Sequence, residues 1–160
     1  SISLEGKTLW LMQSLPVTPQ QVLQAKLDLH LLLTALPALF CAGCLLPIVG
    51  GSFLENILML LLTALFVLLT AELGLTLGLL LPDLHWTSEG AVVKRGGASV
   101  LSLMAGWCLV LVMEAILYLL SSRIGTAPAM AVCAALFGAA DALLCHWLNG
   151  PGAKRFEELA

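Results

Sequence analysis

Apolar and polar positions in this chain separate on the scale of whole helices rather than single turns. Four apolar runs stand out: Leu27 to about Val49, about Leu54 to Leu81, about Ser99 to Leu120 and about Ala127 to Leu148. A bilayer's hydrocarbon core takes about 20 residues of helix, so each run is long enough to cross it. Gly50-Gly51-Ser52 divides the first pair and the stretch from Ser121 to Thr126 the second, so each pair reads as a helical hairpin. The connector over 82–98, PDLHWTSEGAVVKRGGA, is longer and more polar. The pattern predicts an all-α, polytopic helical membrane protein with four transmembrane helices.

Ahead of the first run, LEGKTLWLMQSLPVTPQQVLQAK is polar enough to lie outside the bilayer. Leu4, Thr8, Leu11, Met12 and Leu15 share one face of a short helix, with Trp10 suited to headgroup depth. Pro16 ends that helix, because proline lacks the amide and disfavours helix in the residue before it. Thr18 then caps a new helix, with Pro19 in the first turn and Gln21 closing a capping box. Residues 1–26 are thus expected to form a cytoplasmic interfacial elbow, an N-terminal interfacial helix that turns into the first span.

Composition agrees with the pattern. Hydrophobic residues make up 60% of the chain and charged residues 11%, against about 25% charged in a soluble domain. Mean hydropathy is +1.02. A net charge of −3 gives no reason to expect a nucleic-acid partner. The placement of the basic residues says more. Lys7, Lys26, Lys94, Arg95, Lys154 and Arg155 fall on one side of a four-span topology, and only Arg123 falls on the other. By the positive-inside rule both ends and the 82–98 loop are cytoplasmic. The expected organisation is the elbow over 1–26, a four-span bundle over 27–149 and a cytoplasmic tail over 150–160.

Candidate chemistry is sparse. Gly6-Lys7-Thr8 has the ending of a phosphate loop, but Ser1 stands where the first glycine is needed and no strand precedes it. No nucleotide site is expected, and no enzyme activity. The five cysteines lie in apolar runs; Cys41-Ala-Gly-Cys44 has redox or zinc spacing without a second ligand pair. His146 beside Cys145 lacks metal partners too. No cofactor and no metal site are expected. Ionisable groups inside spans are costly and are functional candidates by default, which singles out Glu72, Glu114 and Asp141. At about 1.5 Å per residue, Glu72 and Asp141 sit roughly 14 and 10 Å from the cytoplasmic ends of their spans. They are placed to face each other and share a proton, whereas Glu114 belongs nearer the outer third. Gly74 and Gly78, one turn apart, suggest close helix packing. Pro37 and Pro47 suit either a kinked gate or plain packing. Asp28 and His30 read as a solvated helix start.

Two stretches resemble a known family. EGKTLWLMQSLPVTPQQVLQAK is similar to the segment of bacterial ATP-binding cassette (ABC) exporter permeases that reads E-G-[KR]-x-[LF]-W, then S-L-P-[IV]-[ST]-P, then a lysine entering a span. PDLHWTSEGAVVKRGGASV resembles their cytoplasmic loop: Leu84, Trp86-Thr87-Ser88 and Val92-Val93-Lys94 keep its pattern, and His85 stands where Asp or Asn is usual. The resemblance covers about 40 residues. It implies the C-terminal portion of a permease subunit, with further spans upstream, consistent with a chain that opens without Met. It also implies a separate ABC ATPase subunit as partner, besides the lipid bilayer and the remaining permease spans or a second permease copy. The elbow and middle loop are then the expected ATPase-coupling surface, with Trp10, Pro16, Trp86 and Lys94 as its marked residues. Two other classes stay open: a proton-coupled secondary transporter using the membrane carboxylates, and a non-transporting membrane assembly subunit.

Overall fold

The computed structural model describes residues 18–81 and 97–158. Helix α1 spans Pro19–Val49, α2 Phe53–Leu80, α3 Gly97–Ile124 and α4 Thr126–Trp147; a π-helical turn, Leu148–Gly152, leads into a short α5, Ala153–Glu158. The described residues contain no strand. Four helices are long and apolar enough to cross a membrane, the fourth continuing from Thr126 as far as Phe156. The first residues of the elbow and most of the middle loop lie outside the described residues.

The helix ends follow from local chemistry. Thr18 caps α1 as its sequence predicts: the Gln21 amide donates to Thr18 Oγ1 at 3.4 Å, and the Thr18 amide donates to Gln21 Oε1 at 2.9 Å. Such reciprocal bonds satisfy donors that the first turn leaves without partners. The helix then runs through Pro37 and Pro47 to a stop at Gly50, whose φ of 65° is the left-handed conformation that glycine adopts most cheaply. Ser52 and Glu55 repeat the capping box at the start of α2. Between α3 and α4 the sequence pattern suggested a six-residue connector, but the helices occupy nearly all of it. Gly125 alone lies between them, at φ 92°.

Helix α2 is the centre of the molecule, packed against α1, α3 and α4. The short turns make α2 and α4 run the same way, opposite to α1 and α3. At one end Thr126 Oγ1 donates to Glu55 Oε1, joining the starts of α2 and α4. A cluster of Leu62, Cys133 and Ala134 fills the space between them, with Met113 and Ile116 of α3 packed on it. At the other end Leu23 of α1, Leu79 of α2, Leu148, Ala153 and Phe156 form a second cluster. The 150–160 segment, expected as a tail, therefore begins as a helical continuation of α4 packed against the starts and ends of its neighbours. Pro151 sits inside the π turn, where the wider helical path accommodates a residue without an amide.

The two outer helices are far less enclosed. No residue of α3 is buried, and Leu32, Leu33, Leu36 and Phe40 of α1 are all more than half exposed. In water such faces would be prohibitive; against lipid or another apolar helix they are ordinary.

Candidate functional site

The buried polar groups of the bundle gather at the α2–α4 contact. Glu72 and Thr76, one helical turn apart, share a face of α2, and Asp141 comes from α4. They are 2%, 8% and 5% exposed. Asp141 is close enough to Glu72 for the two carboxyl groups to interact electrostatically. Glu72 Oε2, Thr76 Oγ1 and both carboxyl oxygens of Asp141 are enclosed with no hydrogen-bond partner. Unpaired buried polar atoms of this kind are uncommon in native proteins, which makes this part of the interior the candidate site. A cavity of about 20 Å³ touches Glu72 and is closed by Gln24, Cys145 and Asn149 among others, so there is room for one water.

The opposite side of α2 opens onto a larger space. A cleft of about 490 Å³ lies between α1 and α3, which make no substantial contact with each other. Its floor is the small-residue face of α2, Ala71, Gly74 and Gly78. Lys26 and His30 stand one turn apart on its α1 wall, and Ser99 and Ser102 line it from α3. Thr70 closes the inner end of the floor; its hydroxyl donates back to the carbonyls of Phe66 and Val67, both at 3.0 Å. No carboxylate lines the cleft among the described residues. The Lys26 ammonium also sits over the Phe156 ring, 5.5 Å from its centroid, which anchors it near the mouth.

Glu72 and Asp141 lie within electrostatic reach of each other, but Glu72 Oε2 and both Asp141 oxygens have no hydrogen-bond partner, so the expected shared proton does not join them here, and Glu114 lies apart on α3. Glu114 is exposed on the outer face of α3 beside Trp107, Leu111 and Tyr118. Among the described residues nothing packs closely on Gly74 or Gly78, where a close helix approach was expected: a Cβ at either position would meet no heavy atom of theirs within 4 Å. Their missing side chains widen a cleft instead. Trp10, Pro16, Trp86 and Lys94 lie outside the described residues. Thr76 and the Lys26–His30 wall were not singled out from sequence, although both follow from one-turn spacing, Glu72 to Thr76 and Lys26 to His30. No group of three or more potential metal ligands occurs among the described residues. Comparison with known proteins finds no matching family model, no matching curated protein and no matching solved structure.

Proposed function

We propose that the chain is the transmembrane permease part of an ABC-type exporter, driven by ATP hydrolysed on a separate ATPase subunit. The supporting sequence features are the two permease-like stretches and the basic residues gathered at one end. The observation that carries the reading is the start of α1. Thr18-Pro19, the last two residues of the S-L-P-V-T-P stretch, form the cap and first turn of a helix that continues unbroken to Val49. A force received on the elbow at Pro16 would enter a rod that spans the bilayer and forms one wall of the cleft. In this reading both ends and the middle loop face the cytoplasm of a bacterium, and the elbow with Trp10, Trp86 and Lys94 meets the ATPase. Glu114 supports a larger assembly, because a carboxyl group facing hydrocarbon is costly and is rarely left toward lipid. Further permease spans or a second copy would cover that face of α3.

The test is co-purification with an ABC ATPase encoded beside this chain. Pro16→Ala, which lets the flat and inserted helices fuse, and Trp86→Ala are expected to lower stimulated ATP hydrolysis at normal membrane abundance. Full retention of ATPase binding and of stimulated hydrolysis by both variants would leave the elbow as a lipid anchor only. The electrostatic proximity of the buried Glu72 and Asp141 favours a second reading, a proton-coupled transporter. Proton flux through reconstituted protein in the absence of ATP would promote it over the first.

A further inference from the structure

We propose that the small cavity beside Glu72, between α1, α2 and the end of α4, is a sodium site with Glu72 as its charged ligand. Three observations on separate groups point to it. Glu72 lines the cavity, is 2% exposed, and keeps Oε2 without a hydrogen-bond partner. Thr76, one turn along the same face, behaves unlike the other threonines inside α1 and α2. Thr34, Thr63 and Thr70 each donate their hydroxyl to the carbonyl one turn back, at 2.7, 2.8 and 3.0 Å. Thr76 is 8% exposed, and its enclosed Oγ1 has no partner. The third observation concerns the backbone. Leu148 and Asn149, which open the π-helical turn, form part of the cavity wall, and π turns within α-helices recur at functional sites.

The chemistry of these groups selects the occupant. The unpartnered atoms of Glu72 and Thr76 are oxygens, which suit a hard cation. A proton serves one oxygen at a time, whereas a metal ion takes lone pairs from several. The cavity, about 20 Å³, has room for a single particle, too little for magnesium with the waters it retains. Gln24 and Asn149 bring side-chain amides to its wall. The Asn149 amide nitrogen donates to Cys145 Sγ at 3.4 Å, which leaves the amide oxygen to the ion. The ligand set is then one carboxylate with neutral amide and hydroxyl oxygens. A monovalent ion makes that set neutral, and a divalent ion would leave a net charge among leucines. Neutral oxygens serve sodium well in membrane proteins, so no cluster of charged ligands is required. Gln24 and Asn149 are both exposed, and they give the ion its entry from the end where α1 starts.

Scintillation proximity binding of radioactive sodium to the purified full chain in detergent micelles tests the site directly. The wild-type chain is expected to bind sodium saturably, one ion per chain. Excess unlabelled sodium should displace it, and equal concentrations of choline, potassium or calcium should not. Glu72→Gln keeps the shape of the side chain and is expected to abolish binding. Thr76→Val is expected to weaken it about tenfold, the value of one hydrogen bond to a charged group. Gln24→Leu, at the exposed rim, should weaken it as well. Glu114→Gln, exposed on α3, is expected to bind sodium as the wild type does. No saturable binding to the wild-type chain would overturn the proposal, as would displacement by an equal concentration of calcium. Sodium binding that survives Glu72→Gln would overturn it too. Should that variant fail to fold, unchanged binding in both Thr76→Val and Gln24→Leu would have the same force. Sodium binding needs neither ATP nor proton flux, so its failure leaves the exporter reading standing.

Discussion

At the scale of single residues, the Glu72–Asp141 contact makes the sharpest demand. Two acids lie within electrostatic reach of each other in the interior of the bundle, and Thr76, one turn from Glu72, has a buried hydroxyl without a partner among the described residues. The two acids are coupled electrostatically, so altering one changes the surroundings of the other. Glu72→Gln and Asp141→Asn are each expected to shift stability, and the double variant to depart from the sum by about 0.5–3 kcal/mol. Reversible unfolding in mixed micelles measures the cycle; strictly additive effects would remove the pairing. The meeting of these residues was legible in the sequence because depth can be counted from helix ends, and the two lie at similar depth. Rotation about the helix axis was not legible. Apolar residues surround each span on every side, so no stripe shows which face turns inward. For that reason Glu114 proved to be exposed and Thr76 was overlooked. The same ambiguity governs Gly74 and Gly78, since a missing side chain permits either close packing or an open cleft.

At the scale of elements, boundaries set by side-chain chemistry could be read and boundaries set by packing could not. The box at Thr18 and Gln21 is a local device within four residues, and it appears as written. The continuation of α4 through Pro151 depends instead on distant partners. Proline and glycine in Asn149-Gly-Pro-Gly152 argue for a stop, but burial of Ala153 and Phe156 against Leu23 and Leu79 holds the chain helical beyond them. Trp147 fixes the turn, because a Cβ at Gly152 would meet its ring at 3.1 Å. Phe156 is 4% exposed and is the largest side chain that α5 contributes to the cluster. Phe156→Ala is therefore expected to lower stability by about 3–5 kcal/mol, the usual cost of emptying a buried aromatic site. It should also release α5, read as faster proteolysis near Arg155. Phe156→Leu should recover most of the loss. Unchanged proteolysis in the alanine variant would mean that α5 stays docked by other contacts.

At the scale of the whole molecule, the enclosed interior lies along α2 and α4, while α1 and α3 stand at the sides with their apolar faces open. That arrangement suits a part of a larger membrane assembly, and the basic residues give the proposed orientation its basis. Lys26, Lys154 and Arg155 of the described residues lie at the end where α1 starts and α5 docks, whereas Arg123 lies at the other. In the proposed topology the first end faces the cytoplasm, the side on which the positive-inside rule expects basic residues. Single cysteines in a cysteine-free background test this with an impermeant thiol reagent on intact cells. Gly6 and Gly90 serve for the elbow and the middle loop. Gly152 is unsuitable as the third reporter, because it is buried against Trp147; Lys154, which is exposed, replaces it. Cysteines at these three positions should be protected until the cells are opened. Ser122, exposed at the far end of α3, should react at once. Labelling at position 90 from outside would break the even-numbered topology and move the middle loop to the opposite face. An ATPase could not then reach it, and the coupling surface assigned to Trp86 and Lys94 would fall with the topology.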